Sequence, residues 1–162
     1  MGDERCPEGQ RPKGWYDLKE LTTDAIRENL ATVFEFLQGA LEECGAPKKL
    51  IRKIRLCVEE IYINIVNYAY APDTGQARIT FDTSGAAGED PPLCARITFI
   101  DSGKPYDPLA KEDPDIGLDL DDTPIGGLGI FLVKETMDNV GYERKDGQNI
   151  FFMEKNIDQT AS

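Results

Sequence analysis

The chain has 162 residues, 40% of them hydrophobic, and a formal net charge of −12 from 30 Asp and Glu against 18 Lys and Arg. That is one globular domain of ordinary size with enough apolar residues for a core, and its charge argues against non-specific nucleic-acid binding and against an anionic membrane surface. It contains no histidine, which excludes a Ser-His-Asp triad, a Cys-His dyad, histidine-ligated metals and phospho-histidine chemistry.

Residues 1–13 are polar, carry Pro7 and Pro12, and read as a flexible N-terminal arm with no signal-peptide core. No apolar run approaches the roughly 20 residues of a membrane span. Cys6, Cys44, Cys57 and Cys94 follow no metal-ligand spacing, so reduced thiols in a cytoplasmic compartment are expected.

Trp15–Leu21 reads as a first strand, after which Thr22 or Thr23 caps a helix. Ile26, Leu30, Val33, Phe34, Leu37 and Leu41 recur at the helical period, and Gly45 ends the run. Pro47 opens a second helix whose buried stripe is Leu50, Ile54, Cys57, Ile61 and Ile65, running to about Tyr70 before Pro72. Gln76–Asp82 and Leu93–Asp101 are strands on either side of a Gly- and Pro-containing loop. Residues 102–126, with four prolines and the acidic run Glu112–Asp122, form a long loop. Pro114 breaks that run, and Pro124 stands where an EF-hand needs its Glu, so it reads as a solvated loop or lid. Leu128–Met137 is a short helix, and Val140–Lys145 and Asn149–Lys155 form a hairpin through Asp146-Gly147. The order βααββαββ predicts an α/β (α+β) two-layer sandwich: a mixed, mostly antiparallel sheet with helices packed on one face.

Three stretches can carry chemistry. Glu60, Asn64 and Asn67 lie at i, i+4 and i+7 on the second helix, on a face distinct from that of Ile54, Ile61 and Ile65. Side by side, a carboxylate and an amide can hold a hard cation such as Mg²⁺ or accept a hydroxyl proton; the same spacing also fits a solvated polar face. In Phe99-Ile100-Asp101-Ser102-Gly103-Lys104-Pro105, a carboxylate ends an apolar strand and a glycine follows, which suits either a pocket or a plain turn. Gly126-Gly127-Leu128-Gly129-Ile130 opens the last helix, where phosphate can approach free backbone N–H groups. No Gly-Lys-Ser/Thr follows, so it is not a Walker A loop.

Together and in this order, the three stretches resemble the N box and the two glycine boxes of the Bergerat-type (GHKL, histidine-kinase-like) ATP-binding domain. The resemblance runs from about Thr22 to Lys155 and is nearest to the anti-sigma-factor serine/threonine kinases, through Glu60-x-x-x-Asn64-x-x-x-Tyr68-Ala69-Tyr70, Asp101-x-Gly103-x-Pro105-Tyr106-Asp107-Pro108 and Gly126-Gly127-Leu128-Gly129-Ile130. It implies a single ATP-binding kinase domain over residues 14–155, an ATP lid over 106–125 and a tail over 156–162. It implies that Glu60 activates the attacking hydroxyl, that Asn64 binds Mg²⁺ bridging the ATP phosphates, and that Asp101 accepts from the adenine amine. Gly103 would make room for the base, and Asn67, Pro105, Gly126, Gly127, Leu128, Gly129 and Ile130 would complete the nucleotide site. The implied activity is transfer of the ATP γ-phosphate to a Ser or Thr of an anti-anti-sigma (STAS) partner. The alternative is a non-catalytic nucleotide-binding module that sequesters a sigma factor or another regulatory partner. A homodimer is common among such proteins. The chain departs from the pattern at Tyr68, where these kinases often carry His, and at Ile125, which takes the place of the first glycine of GxGxG. In Asn149–Met153 it lacks the Thr that relatives place near the adenine.

Overall fold

The computed structural model describes residues 15–110 and 127–157. The chain order is β1 (Trp15–Asp24), α1 (Leu30–Glu43), α2 (Lys48–Asn64), β2 (Gln76–Ser84), β3 (Cys94–Asp101), α3 (Gly127–Thr136), β4 (Asn139–Lys145) and β5 (Gln148–Asn156). The strands form one sheet in the order β1-β2-β3-β5-β4, and every described pairing is antiparallel. This is the expected α+β two-layer arrangement.

Strand alternation sorts the sheet into two faces. Ala77, Ile79 and Phe81 of β2 pair with Asp101, Phe99 and Ile97 of β3, which pair in turn with Asn149, Phe151 and Met153 of β5. All nine are buried. Their apolar members share one core with Val33, Leu37 and Leu41 of α1, Ile54, Val58 and Ile61 of α2, and Ile130 and Val133 of α3. The opposite face mixes ion pairs with apolar side chains: Arg78 bridges to Glu20 at 3.3 Å and Arg96 to Glu154 at 3.6 Å, beside Ile100 and Phe152.

Two local expectations are corrected. Thr22 and Thr23 cap no helix. They extend β1, pairing with Arg78 and Ala77, because β-branched residues fit a ladder that still offers backbone partners. Ile26 therefore lies before the helix, and α1 starts at Leu30 after a short 3₁₀ turn over Arg27–Asn29. The fully buried Tyr62 pins this junction, its hydroxyl donating to the carbonyls of Asp24 (3.2 Å) and Ile26 (2.6 Å). The second helix also does not stay α to Tyr70. It is α-helical to Asn64 and continues as a π-helical turn over Ile65–Ala69. Its buried face is wider than the predicted stripe, taking in Ile51, Val58 and Tyr62, with Leu50 half-buried. At the other end β5 reaches Asn156, and Ile157 is buried with its N–H donating to the Leu93 carbonyl at 2.8 Å. The arm over 1–13, most of the lid and the rest of the tail lie outside the described residues.

Candidate functional site

A cleft opens between the C-terminal end of α2 and the ends of β3, β4 and β5. Ile61, Ile65 and Ala69 form one wall, Phe99 and Phe151 the floor, and Tyr68, Tyr106 and Tyr142 the rim. The polar groups at the cleft are few: Asn64, Asp101 and Asn149, with the three tyrosine hydroxyls.

Asp101 and Asn149 face each other across the β3–β5 ladder, and both are buried. The Asn149 amide donates to Asp101 Oδ1 (2.9 Å) and to the Lys104 carbonyl (2.7 Å). Its oxygen accepts from the Tyr106 N–H (3.2 Å) and the Tyr142 hydroxyl (2.5 Å). Both amide hydrogens and both lone-pair positions are used, so only this orientation of the amide satisfies its surroundings. Asp101 Oδ1 also accepts from the Gly103 N–H at 2.9 Å. Among the described residues no donor reaches Asp101 Oδ2, which leaves that oxygen for a ligand.

The turn after β3 is held from three sides. Ser102 donates its N–H to the Tyr70 hydroxyl (2.8 Å), Lys104 its N–H to the Ala69 carbonyl (2.8 Å), and Arg144 a guanidinium N–H to the Gly103 carbonyl (2.7 Å). A Cβ on Gly103 would lie 2.2 Å from the Ala69 carbonyl oxygen. Glycine is thus needed here for close approach of the turn to the π-helical segment. Burial pushes the Tyr70 hydroxyl pKa up, which keeps it a neutral donor and acceptor.

The π-helical turn also changes which side chains reach the cleft. A regular α-helix brings Asn67 onto the Glu60–Asn64 face. Widening each turn by one residue swings Asn67 into solvent and brings Tyr68 to the rim instead. The Tyr68 ring stands 6.1 Å from that of Tyr106. Asn64 is half-buried at the cleft wall, and among the described residues its amide makes no hydrogen bond.

Glu60 sits one turn before Asn64, where α2 meets α3. A Cβ on Gly129 would fall 1.9 Å from its Oε2, so the start of α3 is packed directly over the carboxylate. This burial, and secondarily the charge of Glu59, raises the Glu60 pKa above the usual carboxylate range. A partly desolvated carboxylate of this kind is what a general base requires.

The remaining expected site residues are spread more widely. Pro105 is exposed beyond the rim, and Ile130 is buried in the core beneath α3. Gly127 and Leu128 are the first residues of α3. Gly126 lies outside the described residues. Sequence reasoning gave Asn149, Tyr106 and Tyr142 no named site role, although Tyr106 stands in the Asp101–Pro108 stretch. A signal existed for Asn149: it is a polar residue at the inward position of a strand that otherwise turns Phe151 and Met153 inward.

No described group of three or more Cys, Asp, Glu or His side chains can cage a metal ion. Mg²⁺ does not need one. It commonly takes one or two protein oxygens, with substrate phosphates and water completing its shell, and the unengaged Asn64 amide suits that role. No described helix is long and apolar enough to cross a membrane.

Comparison with known proteins bears on the family and the fold. Residues 23–155 match the model of the histidine kinase-like ATPase domain. The chain is 31% identical over 96 residues to the serine/threonine-protein kinase BtrW of Bordetella bronchiseptica, covering 59% of this chain and 63% of that one, under two thirds of its length. It is 26% identical over 139 residues to the serine-protein kinase RsbW of Bacillus cereus, covering 83% and 82%. Among solved structures it is similar to the RsbU and RsbW domains of a Mycobacterium tuberculosis protein. The TM-score is 0.56 at 18% identity, over 88% of this chain and 33% of that one, and the likeness is one of fold.

Proposed function

Because the chain belongs to the histidine kinase-like ATPase domain family, we propose that it is an ATP- and Mg²⁺-dependent serine/threonine protein kinase acting as an anti-sigma-type switch. Its acceptor is a Ser or Thr hydroxyl on an anti-anti-sigma (STAS) protein. The observation that carries this reading is the sharing of α2 between two tasks: Asn64 lines the cleft, and one turn away Glu60 lies partly desolvated under the start of α3. A nucleotide in the cleft has its phosphates directed along α2 toward a base.

The residues divide the work. Asp101 accepts from the exocyclic amine of adenine through Oδ2, while Asn149 and the Gly103 N–H hold its other oxygen. Guanine presents a carbonyl at that edge, so the carboxylate repels it. Phe99, Phe151 and Ile65 exclude water from the base. Asn64 would hold Mg²⁺, which neutralises phosphate charge when bound. Glu60 accepts the acceptor hydroxyl's proton as that oxygen attacks the γ-phosphorus and the bond to the ADP oxygen breaks. Phosphoryl transfer is catalysed mainly by positioning and charge neutralisation, so these few groups suffice. Added phosphate then changes the partner's surface charge and the interfaces it can form.

Thermal melts with Mg-ATP, Mg-GTP and ATP with chelator test the site. A ligand at about 100 times its Kd stabilises by about 2.7 kcal/mol, roughly 5–10 °C for a chain of this length. An ATP-selective, Mg²⁺-dependent shift that Asn64→Ala loses is expected. Radiolabel transfer from ATP to a STAS protein tests the chemistry, and no shift at millimolar ATP overturns the reading.

A further inference from the structure

The row of α2 that holds Glu60 continues toward the helix N-terminus as Leu56, Lys53 and Lys49, at i−4, i−7 and i−11. That spacing stacks the four side chains on one face. Leu56 is 60% exposed, the most open large apolar side chain among the described residues. Leu132 is 48% exposed and stands three residues after Gly129, the residue packed over the Glu60 carboxylate. The core-facing residues of α3 are Ile130 and Val133, with Met137 buried just past its end, so Leu132 is turned away from the core. Each helix of the α2–α3 seam thus presents one open leucine close to where Glu60 emerges.

The charges on and beside this row are unusual for the chain. Lys48, Lys49, Arg52 and Lys53 fall within six residues of a protein of net charge −12. All four are exposed, and none pairs with a described carboxylate. Lys48 and Lys49 occupy the first turn of α2, which holds no acidic residue. A helix N-terminus is the positive end of its dipole, so cations there oppose it. Helix stability does not account for them.

We propose that Lys49, Lys53, Leu56 and Leu132 dock the protein that presents its hydroxyl to Glu60. That partner carries acidic side chains beside its acceptor Ser or Thr, and an apolar side chain that seats between the two leucines. An acidic partner meets like charge over most of this chain and opposite charge on this row, which orients its approach. The proposal rests on the kinase reading and adds the chemistry of the acceptor surface.

Purified STAS-domain proteins are the probe, with radiolabelled Mg-ATP and initial rates measured over acceptor concentration at low and moderate salt. The chains compared are wild type, Leu56→Ser, the double variant Lys49→Glu/Lys53→Glu, and Lys145→Glu on the exposed β4–β5 hairpin as a charge control. The expected result is a KM for the acceptor raised about tenfold in the first two variants. Their kcat and ATP-induced thermal shift stay at wild-type values, the double variant loses salt dependence, and Lys145→Glu behaves as wild type. An unchanged KM, or a loss confined to kcat, overturns the docking row while wild-type transfer leaves the kinase reading standing. Absence of transfer by wild type to every probe overturns the kinase reading and the docking row with it.

Discussion

Glu60 is held in an environment that disfavours its ionised form. Burial against the start of α3, then the neighbouring Glu59, raise its folded-state pKa above the value it has unfolded. A group raised in this way contributes stability that is full below the unfolded pKa and lost as pH rises through the folded one. Glu60→Gln is therefore expected to melt above wild type at neutral pH and to converge with it below about pH 4. The same variant keeps the Mg-ATP shift and loses transfer. A neutral-pH melting point below wild type contradicts the assigned burial penalty, and retained transfer removes Glu60 from the reaction. Asn149 gives a different signature. Asn149→Ala leaves the Lys104 carbonyl, the Tyr106 N–H and the Tyr142 hydroxyl without this partner. A buried group left unsatisfied costs about 1–3 kcal/mol; these three bonds are part-buried, so chemical denaturation should show a total loss of about that size together with weaker ATP binding. Asp101 was legible in the sequence because a carboxylate followed two residues later by glycine marks a strand ending at a pocket or turn. Asn149 was legible only as a polar residue at an inward strand position; its place opposite Asp101 arises from the register between strands almost fifty residues apart.

Two glycines show how elements close on the site, and they differ in what they meet. At Gly103 an added methyl group strikes the Ala69 carbonyl, which belongs to a packed backbone. At Gly129 it strikes the end of the Glu60 side chain, which can rotate away. Gly103→Ala should therefore lose about 1–3 kcal/mol of stability in a urea melt. Gly129→Ala should unfold near wild type, bind ATP and transfer phosphate slowly, since only the aim of the carboxylate changes. Equal stability losses in both variants would contradict this distinction. The helices and strands themselves were readable from their apolar periods. The π-helical turn was not: Ile65–Ala69 continues the apolar pattern of α2, and nothing in that pattern marks the widened period. That change of period moves Asn67 out and Tyr68 in. The extension of β1 through Thr22 and Thr23 was hidden in a similar way, since a threonine before an apolar run serves a helix cap and a strand equally well.

Across the whole molecule, the apolar side chains of one sheet face and three helices make a single core, and the cleft lies where that core meets the turn after β3. The layer arrangement was legible from the element order, whereas the strand order had to come from pairings distant in sequence. β3 pairs with β2, its neighbour in the chain, but also with β5, which brings residues 94–101 against 149–156. Contacts of such separation form late, because the loop between them must first be closed. The floor of the cleft is made at this seam: Phe99 opposite Phe151 and Asp101 opposite Asn149. During refolding from urea, helical signal is thus expected to return before fluorescence from an ATP analogue does; simultaneous recovery would contradict the order. For a ribosome synthesising the chain, the seam has a further meaning. Glu60, Asn64 and Asp101 have all been made well before Asn149 leaves the exit tunnel, yet the floor of the cleft, where the proposed function puts the base, is incomplete until it does. On the proposed function, nucleotide occupancy would report that translation has passed β5, and a product truncated before it would hold Glu60, Asn64 and Asp101 without the means to load a base.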